Sequence, residues 1–175
     1  MRLNLRVALF LLIGLVAIGG TWSGWQATSL TGEGASKAAT TKSATLVIDF
    51  GDNSGREPQV IELSDLPAET TGWDLLVKSG IDLEGTDQYP AGFVCRLEAW
   101  PTEAAESCDD TPSYSDGHWA YYVTSKDLFK GWLLSGQGAS SHVVDCGGFE
   151  GWKWVGPGEE AAPPGIPAEI RECSP

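Results

Sequence analysis

His118 and His142 are the only side chains of this chain whose ordinary pKa lies near neutrality, so general acid–base or zinc chemistry would centre on them. Neither stands in an HExxH pattern or beside a second ligand at metal-binding spacing, and both read as surface histidines. Ser135, Ser140 and Ser141 lie near His142, which makes a hydrolase using that histidine as its base the one enzymatic reading; the GxSxG turn that would expose a nucleophile is missing. Gly136-Gln137-Gly138 and Gly156-Pro157-Gly158 lack the lysine and the strand-to-helix setting of a phosphate loop, and read as turns. Asp109-Asp110, and Asp49 with Asp52 and Asn53, lack the alternating ligand spacing of a calcium loop. The expectation is a chain with no catalytic set, no metal site and no cofactor.

Cysteine and tryptophan are more informative. Cys95, Cys108, Cys146 and Cys173 form an even set without a CxxC pair, which argues against a zinc ribbon or a thioredoxin-like site and for two structural disulfides in an oxidising compartment. Four cysteines allow three pairings; Cys95 with Cys108 and Cys146 with Cys173 are favoured because each closes a modest loop. Of eight tryptophans, Trp73, Trp100, Trp119, Trp132, Trp152 and Trp154 lie beyond the N-terminal segment, more than a core of this size requires. An indole offers an apolar body and one polar handle, which suits ligand grooves as well as cores. Trp152 and Trp154 would point the same way along one strand, and Tyr121 and Tyr122 opposite ways. Part of the aromatic set is therefore expected at the surface, with Tyr121, Trp132 and Trp152 as candidate ligand-binding residues.

These residues need elements to position them. Thr45 to Phe50 and Gln59 to Leu63 are β-branched runs on either side of Gly51-Asp52-Asn53-Ser54-Gly55, a hairpin pattern. Thr71 and Asp74 form a weak capping box, after which Trp73, Leu76 and Val77 share one helical face and Gly80 ends the helix. Phe93 to Trp100 and His118 to Thr124 follow as strands, the second with Trp119, Tyr121 and Val123 on one face and Ala120, Tyr122 and Thr124 on the other. Trp132 to Ser135 and Phe149 to Val155 are shorter candidates. The order is hairpin, helix, then several strands.

Upstream, Met1 to Arg6 is basic and Val7 to Gly19 carries no charge, the layout of an export segment. Ala17-Ile18-Gly19 fits a cleavage site. Equally, Val7 to Trp25 reaches the ~20 residues of a membrane span, with Trp22 and Trp25 at the outer interface and Arg2 and Arg6 inside. Residues 1–27 thus read as a signal peptide or an N-terminal membrane anchor, and 28–44 as a flexible spacer rich in Thr, Ser, Gly and Ala. One domain spans 45–156, and 157–175 is a Pro-rich acidic tail stapled by Cys173. The net charge of −13 repels phosphate backbones and excludes nucleic acid as a partner.

Thr71-Gly72-Trp73-Asp74-Leu75-Leu76, Gly80 to Gly85, Phe93-Val94-Cys95-Arg96-Leu97, Trp119-Ala120-Tyr121-Tyr122, Trp132 with Ser135 and Gly138, and Gly148-Phe149-Glu150-Gly151-Trp152 together resemble the transcobalamin-like C-terminal domain, in the exported form seen in actinobacteria. The resemblance covers about Thr45 to Gly156. It implies an α+β, β-grasp-like domain of the soluble-ligand-binding kind, a mixed sheet packed on one short helix. Vitamin B12 carriers use the related domain together with a helical barrel, which is not found in this sequence. The function expected is a non-enzymatic, extracytoplasmic binding module for a small molecule such as cobalamin, or for an envelope partner protein. The alternative is a tethered envelope structural or interaction protein with no small-molecule ligand.

Overall fold

The computed structural model describes residues 41–124, 131–171 and 173. The export or anchor segment and most of the expected spacer lie outside these residues. The elements are β1 (Thr41–Asp49), β2 (Gln59–Pro67), α1 (Gly72–Ser79), β3 (Leu83–Gly85), β4 (Val94–Leu97), β5 (His118–Val123), β6 (Leu133–Leu134) and β7 (Gly148–Val155). The class is α+β, as expected. The first strand starts inside the segment read as spacer, because Thr41 to Ala44 is too polar to signal a strand until Lys42 is seen to be buried.

A five-stranded mixed sheet has the order β2-β1-β7-β5-β6, with β1 and β7 parallel at its centre and the other pairs antiparallel. Parity along the central strands gives the sheet two apolar faces. Leu46, Ile48, Trp119, Tyr121, Trp152 and Trp154 face α1 and build the main core, while Ala120, Tyr122 and Val155 pack with Trp132 on the other side. A separate ribbon, β3 with β4, carries Cys95, whose disulfide to Cys108 secures the long loop before β5. Cys146 pairs with Cys173, so both expected disulfides are present.

The capping box forms in full: the Thr71 hydroxyl accepts from the Asp74 N–H at 3.1 Å, and the Asp74 carboxylate accepts from the Thr71 N–H at 3.0 Å. Gly80 closes the helix in the left-handed conformation. The buried face differs from the expected one. Leu75 and Leu76 enter the core and Val77 is 59 % exposed, because the sheet lies under the Leu75 side of this short helix. Removing the cap hydroxyl with Thr71→Ala lowers stability by about 1 kcal/mol, measurable as a shift in urea midpoint at unchanged m-value.

The tail is extended but not detached from the domain. Its Ile166 carbonyl accepts from the Trp132 indole N–H at 2.8 Å, the Gly165 N–H donates to Asp49 at 2.9 Å, and the Arg171 N–H donates to the Gly147 carbonyl at 3.0 Å. A side chain at Gly151 would collide with both Trp132 and Pro164. The tail therefore covers the sheet face opposite α1, and Cys146–Cys173 ties it down near its end.

Candidate functional site

Glu150 lies between Phe149 and Gly151 on β7, on the parity that faces the main core beside Trp152 and Trp154. Its side chain is 1 % exposed and accepts a hydrogen bond from the Tyr121 hydroxyl on the neighbouring strand. His142 Nε2 stands 3.3 Å from the other carboxylate oxygen, a coulombic contact without hydrogen-bond alignment. Gly72, at the start of α1, leaves room for the Tyr121 hydroxyl, which any Cβ there would overlap. Tyr121 in turn stacks on Trp152 with ring centroids 4.7 Å apart.

The electrostatics follow from this enclosure. Burial raises the Glu150 carboxyl above the usual carboxylate range, against the opposing pull of His142 and Tyr121. Burial, followed by the adjacent carboxylate, pushes the Tyr121 hydroxyl up. Glu150 raises His142, against the effect of burial. Near by, the Lys42 ammonium donates to the carbonyls of Ala68, Thr70 and Val144; burial lowers its pKa while Asp145, Glu69 and Glu150 oppose that shift. The network closes over the Glu150 carboxyl while His142 stays partly exposed, and its bonds fix β5, β7 and the loop carrying His142 against one another.

A raised His142 pKa makes stability depend on pH. The folded state holds this proton more tightly than the unfolded chain, so the contribution is complete below about 6.5 and is lost as pH rises through the raised value. The urea midpoint of the native chain accordingly falls as pH rises above about 6.5, and His142→Gln flattens that fall.

The residues expected to bind a ligand do not share a surface. Tyr121 and Trp152 are in contact, but both belong to the main core. Trp132 packs on the opposite sheet face, edge-on to Phe149 and bonded to the tail. Strand parity correctly put Tyr121 on the face of Trp119 and Val123, and that face is the one α1 covers. No tryptophan described is exposed, so the aromatic surface expected from their number is not formed by indoles lying in the open. His142 is half-buried and paired rather than a free surface group. Ser135 directs its hydroxyl to the Gln137 carbonyl, and no serine bonds to His142 among the described residues. Asp49 is a structural acceptor, receiving the N–H groups of Gly51 and Gly165 and facing Lys153 at 3.5 Å. The residue missed by sequence reasoning was Glu150; its one signal was an acid on the same strand parity as two tryptophans.

Two grooves open on the molecule with aromatic residues in their walls. The first, about 480 Å³, is lined by Trp100, Pro101, Trp154 and Pro157, with Asp116 and Glu159 also in its lining. Trp100 is placed by a tight turn in which Leu97 and Trp100 exchange two backbone hydrogen bonds at 3.0 Å. The central residues, Glu98 and Ala99, take φ of 53° and 57°, a left-handed pair that non-glycine residues adopt at a cost of about 1–2 kcal/mol each. Neighbours hold the turn: Glu98 Oε1 accepts from the Asp82 N–H, the Glu98 N–H donates to the Asp82 carbonyl, and Arg56 donates to the Glu98 carbonyl. The Trp100 indole N–H is buried and has no acceptor among the described residues. The second groove, about 410 Å³, runs beside β5 and includes Phe93, Pro112, Tyr114, His118 and Leu134.

Neither a protein-family model nor a curated protein matches the chain.

Proposed function

We propose that the chain is a non-enzymatic binding module working outside the cytoplasm, on a β-grasp-like scaffold of the transcobalamin-like C-terminal type. The scaffold reading is supported by the sheet order, in which β2, hairpin-linked to β1, flanks one side of a central parallel pair, β5 runs antiparallel to β7 on the other, and one helix packs on one face. The location is supported by two disulfides, which persist in oxidising compartments, and by the basic-then-apolar N-terminus, which either is removed or tethers the domain to the membrane.

The groove of Trp100 and Trp154 is the proposed ligand face. The observation that carries this reading is the left-handed Glu98–Ala99 turn, a strained backbone pair held by three hydrogen bonds with two neighbours, Asp82 and Arg56, and placing an indole whose N–H lacks an acceptor among the described residues. Its volume lies in the ordinary range for small-molecule sites. An indole wall suits a ligand with a flat apolar face; corrin-like molecules such as cobalamin are the first class to try, on the strength of the resemblance.

Titration of the full chain with cobalamin, related tetrapyrroles and a panel of cell-envelope metabolites, followed by tryptophan fluorescence and calorimetry, tests the reading. The expected result is saturable quenching by at least one compound, weakened about tenfold, or 1.4 kcal/mol, by Trp100→Ala. A flat response across the panel, or undiminished binding by the variant, removes the small-molecule reading.

A further inference from the structure

The two outer edges of the five-stranded sheet are built differently. On β2, an extra residue bulges the ladder between the Lys42–Leu66 and Ala44–Leu63 pairs; Asp65 is left-handed there, and Glu62, Ser64 and Pro67 complete a polar, kinked edge. Those are the devices that keep an edge strand from recruiting another chain. On the opposite side β6 pairs only with Tyr122 and Val123. The first part of β5, His118-Trp119-Ala120-Tyr121, has no strand on the side away from β7 among the described residues and carries no proline, lysine or acid to guard it.

Hydrogen-bond parity identifies the free groups. The Ser135 N–H donates to the Tyr121 carbonyl at 2.8 Å, and the Thr124 N–H to the Phe149 carbonyl of β7 at 3.0 Å. Trp119 and Tyr121 therefore turn their amides away from β7. The Trp119 N–H and carbonyl and the Tyr121 N–H face outward without a partner among the described residues. The groove of about 410 Å³ lies along this stretch, with Tyr114 83 % exposed and Leu134 62 % exposed in its lining. The open edge, from His118 to the Tyr121 N–H, extends about 10 Å, enough for a short added strand.

Charge selects the occupant. No lysine or arginine lines the groove, and Glu159 is the one carboxylate in its lining; Asp109, Asp110, Asp116 and Glu160 stand within a few residues in sequence of the lining residues Thr111, Tyr114 and Ala161. Glu159 is held in place by Asn53 and the Gly156 N–H, both neutral donors that leave its charge uncompensated. We propose that the open half of β5 binds an extended, cationic polypeptide segment of a partner protein as an added strand, with alternate side chains against Tyr114 and Leu134 and basic side chains toward the flanking carboxylates. This inference is independent of the small-molecule reading, which concerns the groove of Trp100.

The test uses a capped, fluorescein-labelled (Lys-Val)4 peptide and the full chain, read by anisotropy, with hydrogen exchange of individual amides measured in parallel. Saturable binding is expected, with exchange slowed at Trp119 and Tyr121. Methylation of alternate peptide nitrogens on the pairing side weakens it at least tenfold, as does Glu in place of Lys. Raising salt from about 50 to about 300 mM weakens it several-fold. Tyr114→Ala, which removes an exposed ring and leaves the core intact by circular dichroism, also weakens it. Absence of binding to about 1 mM peptide overturns the proposal. Equal affinity for the N-methylated or the Glu peptide does so too, as does self-association of the chain through β5, which would make a second copy the occupant.

Discussion

Glu150→Ala lowers the unfolding free energy by about 3–5 kcal/mol, read as a large fall in urea midpoint. The substitution leaves the Tyr121 hydroxyl without its acceptor, strips His142 of the carboxylate that holds its proton, and opens a cavity under α1 where surrounding side chains are already packed. Glu150→Gln separates these contributions: it preserves volume and one acceptor oxygen, so it retains more than half of the lost stability. Because the carboxylate raises His142, both variants also flatten the pH dependence of stability above about pH 6.5. An alanine variant within about 1 kcal/mol of the parent would show that the network is dispensable, and that packing by Trp152 and Leu76 alone holds this region.

Cys146→Ser with Cys173→Ser has a comparable effect by a different route. The bridge closes a separation of 27 residues, for which restriction of the unfolded chain contributes about 3.5 kcal/mol. The local consequence is larger than at Cys95–Cys108, whose separation is 13 and whose theoretical contribution is about 3 kcal/mol. Without Cys146–Cys173, the last tail contacts depend on the Arg171 pair with Glu62 on the surface and its backbone bond to Gly147. The double variant should show rapid exchange and proteolysis between Gly165 and Arg171, together with a change in Trp132 fluorescence as its indole loses the Ile166 carbonyl. Protection of the tail equal to that of the parent would assign its docking to Pro164 and Trp132 alone.

Local chemistry made some of these features readable in advance. The hairpin follows from β-branched runs around Gly51 to Gly55, and the helix limits from Thr71, Asp74 and Gly80, because each is decided within a few residues. The disulfide pairing followed loop length. Selection between helix faces did not: Trp73, Leu75, Leu76 and Val77 leave more than one apolar stripe in eight residues, and the position of the sheet chooses among them. Strand parity correctly put Tyr121 with Trp119 and Val123, and Trp152 with Trp154, yet whether a shared face is covered or open is a tertiary fact. Lys42 and Glu150 were hidden for a related reason. A lone charge in a strand reads as an exposed position until its distant acceptors and donors, Val144 for one and Tyr121 for the other, are in place. β3, at three residues, is too short to carry a period.

The parallel pairing of β1 with β7 also dictates when the domain can assemble. Ala44 needs Gly148, and Ile48 needs Trp152, so a chain delivered N-terminus first holds its opening strand for most of its length without its central neighbour. Such a contact order favours slow, late assembly over stepwise compaction during emergence. Under the export proposed for this chain, the order is protective: the sheet centre cannot close until β7 has arrived on the side where the cysteines oxidise.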